Sequence, residues 1–313
     1  MKILISFLLV IFPAITWGQS VVRIVIPFAA GGVQDILARS INQEFGAKIG
    51  RTVIVENRPG AGGTIANASV AKSSPDGTTL LLAAASHTIT GHVYAKLPYH
   101  PLRDFTPVAH IGSVDYVLMI NGEMPAKSVT ELIALLKQNP GKYNFASAGT
   151  GSATHLSMAY FSSLAGVEMV HIPFKATNEA IQEVMVGRAH AVMASTIGAL
   201  PFVKDARFKV LGVSGAKRSR FAPDLPTVAE SGLPGYQFDS WMGLLGPAGM
   251  PKTMVEQMNA AIGELLKDAT ILERLAKQGV EPRALSPDAF SRLLQDDFVR
   301  MGSIVKAAGA RID

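Results

Sequence analysis

The segment Arg23–Asp35, RIVIPFAAGGVQD, decides the fold class. A β-branched run (Ile24, Val25, Ile26) meets Pro27 and Phe28. A turn of small residues follows (Ala29, Ala30, Gly31, Gly32), and a helical pattern opens directly after it. With side chains nearly absent where strand hands over to helix, the backbone N–H groups face open space. The first turn of a helix has no internal acceptor for them, and the aligned peptide dipoles add partial positive charge. Such an end accepts a carboxylate or phosphate. A lone Gly-Gly turn is only a turn; a second copy gives this one its meaning.

The second copy is Asn144–Leu156, NFASAGTGSATHL. It follows a helix closed by Asn139-Pro140-Gly141 and a short strand around Tyr143–Ala146. Gly149 and Gly151 free the backbone, while Ser147, Thr150, Ser152 and Thr154 add short hydroxyls ahead of a run through Leu156, Tyr160 and Leu164. These hydroxyls are candidate donors to an anion. They are equally candidate caps, with Ser152 or Thr154 serving only its own helix.

The chain has 313 residues, 48% apolar and 17% charged, with positive mean hydropathy. That excludes disorder, and the length points to two domains rather than one core. Lys2, the apolar run Ile3–Phe12, Pro13 and the small residues around Thr16 and Gly18 read as a secretory signal cut near Gly18. The run is too short for a membrane span, and no later segment reaches the roughly 20 apolar residues one needs. Export of the mature chain follows. Cysteine is absent, so thiolate metal sites and cysteine catalysis are excluded. The formal charge is +5, or +4 without Lys2, and nothing concentrates it beyond Lys217, Arg218 and Arg220. Nucleic-acid binding would need a basic stripe with interleaved aromatics. None is present.

Strand and helix signals alternate along the chain. The helix of the first unit (Leu37, Ile41, Phe45) is followed by a strand at Thr52–Val55, the loop NRPGAGG (57–63) and a helix through Ile65 and Val70. The turn Pro75-Asp76-Gly77 leads to a strand at Thr79–Ala85. Repeated units of this kind predict a mostly parallel, doubly wound sheet with ligands at the carboxyl ends of its strands. Asp115–Asn121 reads as a crossover strand, and Phe238–Leu245 as the return. Between them lie the capping box Ser128–Glu131, the second glycine loop, and strands at Met169–Ile172, Ala189–Ser195 and Lys209–Val213. The part after Pro251 is almost wholly helical. An insertion between two crossings is a hinged clamp: a leader over residues 1–18, one lobe from 19–118 plus 241–313, and a second lobe from 119–240.

At this level of detail the chain resembles the Bug-type substrate-binding proteins of tripartite tricarboxylate transporters. The matching stretches are IPFAAGGVQDILAR (26–39), VENRPGAGGT (55–64), SPDGTTLLLA (74–83), LPYHPLRDFTPVA (97–109), NPGKYNFASAGTGSATHL (139–156), VHIPFK (170–175), LPTVAESGLPGY (225–236) and WMGLLGPAGMPK (241–252). The resemblance implies a periplasmic, monomeric type II Venus-flytrap receptor without cofactor. It would take a small carboxylate and hand it to a permease of one large and one small membrane subunit. The alternative is a receptor that reports its ligand to a membrane sensor.

The resemblance also implies contacts from Phe28, Ala29, Gly31, Gly32 and Asp35 in the first loop. In the second it implies Ser147, Gly149, Thr150, Gly151, Ser152 and His155. Ser86 and His87 after the third strand, Lys175 and Ser195 complete the set. Three positions depart from the common pattern: Ala194 where Asp is usual, Ala176 where Gly is, and Thr90 where Asn is. Asp35 has three readings open: a helix cap, a holder of bridging water, or a partner for a ligand ammonium. The other histidines show no metal-ligand spacing. An enzyme is disfavoured, since no G-x-S-x-G elbow, P-loop or dinucleotide fingerprint occurs.

Overall fold

The computed structural model describes residues 21–174 and 176–309, so the expected leader and Lys175 lie outside the described residues. The elements run β1 (Val22–Ile26), α1 (Val33–Ile49), β2 (Val53–Asn57), α2 (Thr64–Ala71), β3 (Thr79–Ala84) and α3 (Ser86–Val93). After them come β4 (Phe105–Asn121), α4 (Val129–Gln138), β5 (Asn144–Ser147), α5 (Ala153–Ala165), β6 (Val170–Pro173), α6 (Thr177–Met185) and β7 (Ala191–Ser195). The chain closes with α7 (Thr196–Ala199), β8 (Phe208–Val213), β9 (Asp239–Pro247), α8 (Lys252–Leu265), α9 (Ala269–Lys277), β10 (Glu281–Pro282) and α10 (Pro287–Ala308).

Caps explain several starts: the Ser128, Ser152 and Ser286 hydroxyls accept from the N–H groups of Glu131, His155 and Ala289. The expected crossover strand begins ten residues earlier than the sequence predicts, at Phe105. Register shifts near Pro107 and Gly112 carry the ladder past residues that would otherwise stop it. A close backbone approach also requires Gly112, since a Cβ there would collide with the Glu281 carbonyl.

One curled sheet carries the order β2-β1-β3-β9-β4-β7-β5-β6, with β8 and β10 also on β4. β4 is its spine. From Phe105 to Asp115 it pairs with β9; from Tyr116 to Ile120 it pairs with β7. β1, β2 and β3 are mutually parallel, while β5, β6 and β7 run antiparallel to β4. Both lobes therefore turn the carboxyl ends of their parallel strands toward the same gap.

Alternation along the strands sorts the cores. Val22, Ile24 and Ile26 pack with α1 and α8 on one face, and Val117, Met119 and Val192 pack with α6. The opposite faces share one core, in which Leu81, Leu118, Phe161, Tyr236, Trp241 and Phe290 join both lobes. At its centre the buried carboxylate of Asp297 on α10 accepts from Thr88 Oγ1 (2.6 Å), Trp241 Nε1 (2.9 Å) and Arg300 Nη2 (2.7 Å).

At the switch from one lobe to the other, Asp115 sits directly opposite Asp239, with Glu281 close by. Burial first, then these two carboxylates, push Asp115 up to about 7 from 3.8. A Cβ on Gly215 would lie 2.7 Å from its carboxyl oxygen. A carboxyl raised in the fold supports stability fully below its unfolded value, and that support is lost as pH rises through the folded one. Asp115→Asn is therefore expected to stabilise the protein by on the order of 2 kcal/mol at pH 8 and to leave it unchanged at pH 4. Urea unfolding at the two pH values checks this; an equal difference at both contradicts it.

Candidate functional site

The gap between the lobes holds a cavity of about 440 Å³. The first lobe contributes Phe28 from the first glycine loop, and Val33 and Gln34 from the opening turn of α1. The first intrahelical bond of α1 is Ile36 N to Gly32 O, so the N–H groups before it point onward into the cleft. The second lobe contributes Ala148, Thr150 and Gly151, then Ser152, Ala153 and Thr154 at the start of α5. Two helix starts from opposite lobes thus share one cavity. Ser195 ends β7, Thr177 opens α6, and Tyr116 and Ser240 line the wall at the lobe switch.

The floor on the first lobe is α3, a helix the sequence reading does not place. Ser86, Ile89, Thr90 and Val93 face the cavity at helical spacing, and Tyr94 follows them. That spacing was the available signal, masked by β-branched residues of weak helix propensity. The NRPGAGG loop brings Gly62 to the rim at φ 62°, where a Cβ would strike the Tyr94 hydroxyl. No charged side chain lines the cavity among the described residues.

Six of the expected contacts line this cavity: Phe28, Ser86, Thr150, Gly151, Ser152 and Ser195. Ala29, Gly31 and Gly32 form the exposed turn beside it. Asp35 turns back instead. Its carboxylate accepts from Gly31 N (3.0 Å) and Arg39 Nε (2.9 Å); Arg39 also donates to Asn57 Oδ1, and Asn57 donates to Phe28 O. This ring of bonds ties down the first loop. Burial raises the Asp35 carboxyl, but the bonds from Arg39, Gly31 and Asn57 outweigh it and hold it below its ordinary value.

His87 is buried behind α3 with Nε2 2.8 Å from Pro101 O, and burial lowers it to about 4. Ser147 and Gly149 shape the second loop from beneath: Gly149 donates to Ser147 Oγ at 3.1 Å. His155 stands behind the same loop and accepts from Gly151 N at 3.1 Å. Of the departures, Thr90 lines the cavity, Ala176 precedes α6 at its N-cap position without a side-chain bond, and Ala194 is wholly buried in the core under α6.

The family described as "Tripartite tricarboxylate transporter family receptor" matches residues 37–310. The protein BugT of Bordetella pertussis is 30% identical over 299 residues, 95% of this chain and 92% of that protein. Among solved structures, R. palustris Rpa4515 with adipate is 31% identical with a TM-score of 0.79, covering 94% of this chain and 98% of that one. MatC (Rpa3494) from Rhodopseudomonas palustris with bound malate is 32% identical with a TM-score of 0.74, covering 91% and 98%.

The Asp35 geometry sets its own test. Asp35→Asn keeps an acceptor for Gly31 N–H but loses the pair with half-exposed Arg39, so ligand affinity is expected to fall by less than about tenfold. A carboxyl lowered in the fold contributes stability above its unfolded value and loses it as pH falls through the folded one. The Tm difference from the parent protein should therefore shrink between pH 6 and pH 3. A loss of ligand binding beyond a hundredfold, with Tm unmoved, would put the carboxylate on the ligand instead.

Proposed function

The chain belongs to the tripartite tricarboxylate transporter receptor family, and we propose that it captures a small carboxylate between its lobes in the periplasm and delivers it to a large and a small permease subunit. It acts as a monomer, exported after cleavage near Gly18. The first lobe consists of residues 19–118 and 241–313, and the second of residues 119–240. One observation carries the reading: helix starts from opposite lobes, Val33–Gln34 and Ser152–Thr154, line one cavity that has no charged side chain among the described residues. N–H groups at the helix starts and their dipoles attract an anion, and hydroxyls at Ser86, Thr150 and Ser195 add donors. Neutral donors serve such a receptor well, because a carboxylate held by N–H and O–H groups leaves no buried counter-charge behind on release.

Contact is assigned to the six expected residues at the cavity, with Thr90, Tyr94, Tyr116 and Ser240 added. Asp35, His87, Ser147, Gly149 and His155 then act by holding the loops, and Lys175 remains a contact that the family resemblance alone implies. The wall formed by Phe28, Ile89, Val93, Tyr94 and Met242 suits a ligand with an apolar body between or beside its carboxylates. Solved relatives hold adipate and malate.

A thermal-shift screen of adipate, malate, citrate and benzoate against glucose and spermidine tests the ligand class. A carboxylate at a hundred times its Kd should add about 2.7 kcal/mol. Stabilisation by glucose or spermidine alone would overturn the reading. Ligand contacts complete only in the closed form must also favour closure. Small-angle scattering is expected to show a smaller radius of gyration at saturation, and an unchanged radius would argue for a rigid receptor.

A further inference from the structure

Behind the second glycine loop, on the side away from the cleft, two imidazoles lie face to face. The rings of His155 and His171 are 3.9 Å apart at 18°, and Phe145 extends the stack at 5.0 Å from His171. Each imidazole holds one end of the loop. His155 Nδ1 accepts from Gly151 N at 3.1 Å, and His171 Nε2 lies 2.6 Å from Ser147 Oγ, which in turn receives the Gly149 N–H. Gly149 and Gly151 both sit at positive φ. Thr154 Oγ1 holds the Ala148 N–H and Ser152 holds the Gly149 carbonyl, which leaves the Gly149 and Gly151 N–H groups to Ser147 and His155. A Cβ on Gly151 would stand 3.7 Å from Val93, so this peptide is where the second lobe meets the first.

We propose that His155, with His171 stacked on it, is a positioning residue that keeps the ligand-gripping loop in its binding shape only while its ring is neutral, so that acid releases the loop and with it the ligand. This rests on the receptor reading of the cleft. The logic is that of donor and acceptor. An imidazole that accepts from the Gly151 N–H through Nδ1 must carry its proton on Nε2. A second proton, on Nδ1, would set two donors against each other and break the bond. It would also charge one ring stacked on another.

Among the described residues, no carboxylate eases the charging of either ring. Burial, and then His171, lower His155 to about 4 from 6.5, and burial lowers His171. Both rings line an outer cavity of about 450 Å³ between α5 and β6, where the other titratable residue among those described is Glu168, just before β6. A loop that has let go returns its histidines toward the ordinary value, so acid draws the equilibrium to the released form as pH falls from 6.5 toward 4.

Two measurements test this on the mature protein. Imidazole nitrogen spectra without ligand should show His155 as the Nε2–H tautomer, titrating well below an ordinary imidazole; an Nδ1–H tautomer or an ordinary titration overturns the proposal. Calorimetry with adipate at pH 7 and pH 4.5 then compares the parent with His155→Asn, whose side-chain oxygen can accept from Gly151 N–H without titrating. The titration of adipate itself is common to both proteins. The parent should lose at least threefold more affinity than the variant over that range. Parallel losses overturn the proposal. Absence of adipate binding to either protein at pH 7 would count against the receptor reading with this ligand, while the spectra still decide the role of His155.

Discussion

Everything in this molecule follows from β4 being shared. A 17-residue strand that pairs with β9 along its first part and with β7 along its last must enter the second lobe with its carboxyl end pointing away from the first. Strands of the second lobe that run antiparallel to it turn back, so β5 and β7 end where β1 and β3 end. Helices that follow those strands begin at the gap. The meeting of two helix starts is thus a consequence of strand direction rather than of any special local sequence.

The chemistry that results is made from backbone. Val33, Gln34, Ala153 and Thr154 precede the first intrahelical bonds of α1 and α5, Ile36 N to Gly32 O and Leu156 N to Ser152 O. Ionisable groups stand behind each loop and hold it: Asp35 with Arg39 and Asn57 for the first, His155 and His171 for the second. Each loop has the same logic. Glycines give the backbone freedom to present its donors, and a side chain behind the loop removes the unwanted part of that freedom.

The parts of this account legible in the sequence are those with local causes. The strand-to-helix glycine turns, the Ser128 and Ser152 caps, and the β-branched strands each declare themselves within a few residues. The start of β4 does not, because Pro107, Gly112 and the polar His110 read as loop until partners on β9 and β10 are in place. α3 is hidden for the opposite reason: Ser86–Val93 has a clear cleft-facing period but weak helix formers, and tertiary packing against α10 decides the matter. An acid at Asp35 is visible in the sequence; that it turns back to Gly31 and Arg39 depends on Asn57, 22 positions further along.

The central claim is that one carboxylate ligand is held by backbone donors from both lobes at once. Amide proton and nitrogen shifts, followed by NMR as adipate is added, test it most directly. The account predicts downfield movement of Val33, Gln34, Ala153 and Thr154 together, with one common affinity. Movement confined to a single lobe, or none at these four amides while adipate binds, would contradict it.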